Sequence, residues 1–179
     1  MAVVVNFIAF QIGWLACVLG GARELPWAGT GLAAALIAVH LWRSPNPRRE
    51  LILIVTVGVL GAIWDSLLVT LGWLIYPSGT LIAGTAPHWI VAMWMLFATT
   101  LNVSLRWLHG RLLLATILGA VGGPLAYFAG YRLGGVEFSQ LWVGLTALGL
   151  GWAVLMPLLT VLAERFDGMR QPAPQTAFA

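Results

Sequence analysis

Six apolar runs follow one another with only short polar breaks, at roughly residues 3–22, 26–42, 51–75, 87–108, 111–134 and 138–163. A helix needs about 20 apolar residues to cross ~30 Å of hydrocarbon. In lipid, every backbone N–H and C=O must find its partner inside the protein, so runs of this kind can only be helices. The pattern predicts an all-α fold: a polytopic bundle of six transmembrane helices, one domain over residues 1–163. The second run is short and crosses only with little tilt. Residues 164–179 read as a short, polar, disordered cytoplasmic tail.

Charge supports the same solvent and adds an orientation. Only 8% of residues are charged, against roughly 25% in a soluble domain. All nine basic residues are arginine. Six spans put Arg43, Arg48, Arg49, Arg106, Arg111, Arg165 and Arg170 on one side, and Arg23 and Arg132 on the other. That positive-inside bias predicts an inner (plasma) membrane protein with both termini cytoplasmic. The arginines sit at span ends and form no basic stripe, so nucleic acid is not an expected partner. Cys17 stands alone, which excludes an internal disulfide and a cysteine metal cluster; it reads as a small helix-packing residue rather than a lipoprotein cleavage site.

Breaks and small residues mark the packing. Pro26 suits a first helical turn, Ser44-Pro45-Asn46-Pro47 separates the second and third spans, and Tyr76-Pro77-Ser78-Gly79 ends the third. Pro124 and Pro157 free the carbonyls of Ala120 and Ala153, predicting kinks. Gly122, Ala126, Gly130 and Gly134 recur every four residues, with Gly119 and Gly123 beside them. Such a face admits a close helix, either within the chain or from a membrane-protein partner or second copy. Trp27, Trp42, Trp73, Trp89, Trp107 and Trp142 fall near span ends, as an interfacial belt requires. Trp14, Trp64, Trp94 and Trp152 lie deeper and are expected to fill space between helices.

One acid is out of place. Asp65 sits inside the third run, where a carboxylate costs about 2.5–3.5 kcal/mol by insertion scales. Fourteen residues into that span, it lies ~21 Å up, in the outer half. At or above that depth are Tyr127, Tyr131, Arg132, His88, Glu137 and Gln140. A second polar layer, Asn6 and Gln11 with Thr99, Thr100, Asn102 and Ser104, lies toward the cytoplasm. Its simplest use is hydrogen bonding between helices. The candidate site is therefore Asp65 as acid/base, with Arg132, Tyr127, His88, Asn6, Gln11, Asn102 and Trp64 as binding groups. No cofactor or metal is expected. The chain lacks HExxH, a glycine-rich phosphate loop and GxSxG, and His40, His88 and His109 divide between the two sides. The two three-span halves show no duplication of the inverted-repeat kind.

Several strings carry a resemblance: Asn6-Phe7 through Gln11-x-Gly13-Trp14; Trp64-Asp65-Ser66-Leu67; Ala86-Pro87-x-Trp89 through Phe97-Ala98-Thr99-Thr100-Leu101-Asn102-x-Ser104-Leu105; and Gly119-Ala120-Val121-Gly122-Gly123-Pro124-Leu125-Ala126-Tyr127 through Gly130-x-Arg132-Leu133-Gly134. Together they resemble the domain-of-unknown-function 2878 family of small bacterial inner-membrane proteins. Members are often encoded near fatty-acid-modifying methyltransferases and flavin oxidoreductases, so the resemblance implies a link to membrane lipid. It carries over no catalytic residue. The leading expectation is a protein that handles or modifies a fatty acyl or isoprenoid lipid in an intramembrane cavity. The alternative is a small proton-linked permease or a non-catalytic assembly subunit.

Overall fold

The computed structural model describes residues 1–170; the last residues of the expected tail, 171–179, lie outside the described region. Six α-helices occur among the described residues: α1 (Ala2–Ala22), α2 (Pro26–Arg43), α3 (Pro47–Thr70), α4 (His88–Leu101), α5 (Leu112–Arg132) and α6 (Leu141–Arg165). Four of them, α1, α3, α5 and α6, are long and apolar enough to cross a membrane. Pro26 and Pro47 take first-turn positions, and the Asn46 side chain accepts a bond from Arg49 N (3.3 Å) to start α3.

Two of the expected spans are redrawn. The third starts at Pro47 and stops at Thr70 rather than covering 51–75. Leu74–Ile75 (β1) is extended instead and pairs antiparallel with Glu137–Phe138 (β2), Leu74 opposite Phe138. The fourth run, read as 87–108, is helical for only 14 residues, about 21 Å at 1.5 Å per residue. Beyond Leu101 the chain turns because its polar groups are claimed from elsewhere. Asn102 Nδ2 donates to Glu50 (2.7 Å), and Ser104 donates to Asn6 Oδ1 through both N and Oγ. A short 3-10 turn, Arg106–Leu108, then leads to α5.

The helices form two groups. α1 packs on α2 and α4, and α3 packs on α4, making a four-helix body; α5 packs chiefly on α6, which touches α3 and α4 more lightly. At one end β1 and β2 tie the groups together. The other end gathers the start of α1 with the ends of α2, α4 and α6. Asn6 Nδ2 bonds Thr99 O (3.1 Å), and Ser44 Oγ bonds Gly168 O (3.0 Å). The start of α1 and residues 164–170 therefore come to the same end of the bundle. Residues 164–170 are folded there rather than disordered: Glu164 accepts from Gly110 N, Arg106 pairs with Asp167 (2.8 Å), and Gly168 O accepts from Asn46 N (3.0 Å).

Tryptophans seat on glycines. Gly61 lies beneath Trp94, Gly151 beneath Trp64, Gly119 and Gly123 beneath Trp152, and Gly21 beneath Trp89, each so close that an added Cβ would enter the indole or its backbone. Between helices in lipid, close van der Waals packing of this kind supplies much of the cohesion. Gly29 does the same for the backbone of Cys17, which is fully buried at the α1–α2 contact, in keeping with its expected packing role. The carbonyl of Ala120, freed by Pro124, faces Gly149 of α6, so its place is in a helix contact.

Candidate functional site

Asp65 projects from α3 into the centre of the molecule and is completely buried. Three donors from three different segments converge on it. Tyr76 OH donates to Oδ1 (2.6 Å), Trp94 Nε1 to Oδ2 (2.7 Å), and Tyr127 OH reaches both oxygens (2.8 and 2.9 Å). Each donor comes from a defined place: Tyr76 from the connection after β1, Trp94 from α4 over the gap left by Gly61, and Tyr127 from α5. Burial, and then the neighbouring carboxylate, hold the Tyr76 phenol well above its ordinary value, so it stays protonated and donates.

On the far side of those donors lies a cavity of about 630 Å³, inside the usual range of roughly 300–1,000 Å³ for ligand sites. Tyr76, Trp94 and Tyr127 line it; Asp65 does not. The carboxylate acts on the cavity only through the two phenols and the indole. α4 forms the floor with Met93 and Phe97, and α6 contributes Trp152, stacked on Trp94 with centroids 4.6 Å apart and planes 12° apart. The two long walls are α1, with Phe7, Phe10 and Trp14, and α5, with Gly122 and Ala126. Phe7, Gln11, Leu118 and Leu125 line the space and are also exposed, so the cavity opens sideways between α1 and α5. At the Tyr127 end it is closed by Gly135, which sits on Val18. Among the described residues the lining carries no charged side chain and no histidine.

Of the residues singled out in the sequence, Asp65 and Tyr127 meet directly, and Gln11 shares the cavity wall with Tyr127 but does not reach Asp65. Tyr76 and Trp94 complete the cluster and were not foreseen. Three of the four deep tryptophans, Trp14, Trp94 and Trp152, line the cavity besides filling space. Trp64 packs over Gly151, its N–H buried and without a partner among the described residues. His88 lies elsewhere: Nδ1 bonds Thr30 Oγ1 (2.8 Å) and the ring stacks on Trp27 (4.0 Å). Arg132 is exposed at the end of α5, and Tyr131, Glu137 and Gln140 are exposed too, so none of these four joins Asp65. Asn6 is held between Thr99 and Ser104, as interhelical glue.

Asn102 belongs to a second buried centre that the sequence reading passed over. Glu50, fully buried, meets His40 Nε2 through Oε2 (2.7 Å), while its Oε1 accepts from Asn102 Nδ2 (2.7 Å) and Gly168 N (2.9 Å). Glu50 beside Arg48 and Arg49 looks like a span-end charge. The available signal was the break at residues 44–47: His40 lies four residues before it and Glu50 three after it, so a chain that reverses there brings the two to similar depth.

The small-residue face of α5 divides in two. Gly119 and Gly123 press on Trp152 of α6, whereas a Cβ at Gly122 would meet nothing within 4 Å. Gly122, Ala126 and Gly130 line the cavity instead of meeting a helix, and Gly134 supplies a left-handed turn (φ 81°) after α5.

A family model described as a protein of unknown function (DUF2878) matches residues 3–158. No curated protein and no solved structure matches the chain.

Proposed function

The chain belongs to the DUF2878 family, and we propose that it is an inner-membrane protein that holds a single lipid chain in the cavity between α1 and α5. The observation that carries this reading is the cavity itself: about 630 Å³, mostly aromatic and aliphatic, with a side opening and the Tyr76 and Tyr127 phenols at one end. A slot of that shape in the flank of an apolar bundle accepts an acyl or isoprenoid chain from the surrounding hydrocarbon. Tyr76 and Tyr127 then meet the polar end, with Asp65 as the positioning residue that orients both phenols. The six helices cross with both termini cytoplasmic, a reading supported by the arginines gathered at the end where the start of α1 and the end of α6 meet. α2 and α4, shorter than the others, are completed by the connections at their ends.

Gly122→Leu tests the reading without disturbing the fold. Its side chain projects into open space, and leaving glycine behind in a helix gains about 0.5–1 kcal/mol. Protein purified from membranes should carry one lipid species enriched over the bulk extract, seen by mass spectrometry. In the variant that species should fall by about tenfold or more, the occupied volume being lost, with thermal stability equal or higher. Equal lipid in both proteins would sink the proposal. Gly123→Leu is the contrasting substitution, because there the new side chain runs into Trp152 and lowers stability.

A further inference from the structure

The polar end of the cavity has a chemistry that restricts its occupant further. The two phenols spend their protons on Asp65, and a phenolic oxygen has acceptor capacity beyond its single donor. What remains for a ligand at this end is hydrogen-bond acceptance. The hydroxyls of Thr100 and Ser104 elsewhere in the lining are spent on Phe97 O and Asn6, and Gln11 lies at the exposed α1 wall. No cation lines the space among the described residues, so an anionic head group would sit unpaired in an apolar site next to an acid, which is strongly unfavourable. A quaternary ammonium fits little better: Trp94 and Trp152 use their facing surfaces on each other, and both oxygens of Asp65 already accept hydrogen bonds.

Resting on the lipid-holding reading above, we infer that the site takes a neutral, single-chain lipid alcohol, its hydroxyl donating to Tyr127 or Tyr76 and its chain running along Gly122 and Phe97 toward the α1–α5 opening. A straight-chain alkanol and an isoprenoid alcohol share this chemistry.

Photoaffinity labelling of the full chain in lipid nanodiscs distinguishes the cases. The probes are long-chain diazirines identical except for the head: hydroxyl, methyl ether, phosphate or trimethylammonium, each made with a straight saturated and a methyl-branched unsaturated chain. The hydroxyl probe should label cavity residues such as Phe97 and Leu125 about fivefold more than the ether, one neutral hydrogen bond being at stake. It should exceed the charged heads by about tenfold or more. The better of the two chains identifies the source of the alcohol. Equal or stronger labelling by phosphate or trimethylammonium overturns the neutral-alcohol assignment and leaves the cavity reading standing. Equal labelling by the ether overturns the donor requirement. If no probe labels the cavity above its background on Gly122→Leu protein, the lipid-holding reading falls, and this inference with it. The double variant Tyr76→Phe/Tyr127→Phe provides a check within the site: with both acceptors gone it should erase the preference for hydroxyl over ether while labelling by the ether persists.

Discussion

Glu50→Leu should destabilise the protein by about 3 kcal/mol or more, because several buried groups lose their shared acceptor and each stranded donor costs about 1–3 kcal/mol. Glu50 and the side chain of His40 are 0% and 8% exposed, so the stranded imidazole has little water to turn to. The substitution also removes the acceptor for Asn102 Nδ2 and for the backbone N–H of Gly168. Equilibrium unfolding of detergent-solubilised protein measures the loss. The double variant His40→Leu/Glu50→Leu should recover part of it, because the isolated imidazole is gone. The recovery stays incomplete, since Asn102 and Gly168 remain without their acceptor. A Glu50→Leu protein within about 0.5 kcal/mol of wild type, the range of an ordinary surface change, would refute the pairing.

Asp65→Leu should cost about 3 kcal/mol or more by the same route. Three donors lose their acceptor together, and each stranded buried donor costs about 1–3 kcal/mol. The two phenols can turn toward the cavity and recover something there, but the Trp94 indole, wedged over Gly61 and stacked on Trp152, cannot. Asp65→Asn should cost less, about 1–2 kcal/mol, because its carbonyl still accepts while its amide brings a donor into a site already full of them. The order wild type, Asn, Leu in unfolding free energy is the expected result. Leucine more stable than asparagine would mean that the cluster contributes nothing net, as happens when an apolar replacement packs better than a buried polar network.

The six helices were legible because lipid leaves a chain few choices: apolar length alone marks a span. The short α4 was not, since Asn102 and Ser104 interrupt an otherwise continuous apolar run and are drawn off by Glu50 and Asn6 only once three helices have come together. Asp65 stood out through the cost of burying it. Its partners are a different matter, because depth is readable from residue number while rotation about the helix axis is not. Tyr127 and Arg132 share a helix and both lie at or above the depth of Asp65, yet one points at Asp65 and the other outward. Tyr76 comes from a connection whose path no periodicity describes, and Trp94 looks like any other deep indole. Glu50 was hidden by its neighbours, as two adjacent arginines at a span start read as interface.

The division into a four-helix body and the α5–α6 pair has a consequence for how the molecule comes together. Asp65 and Trp94 belong to the first group and Tyr127 to the second, so the cluster is complete only when the α5–α6 pair is docked on the four-helix body. The cavity, too, is bounded by both groups and is absent from either alone. The Asp65–Tyr127 bonds thus act as a clasp across the seam, and an assembling chain acquires its pocket in the same event that completes its tertiary structure.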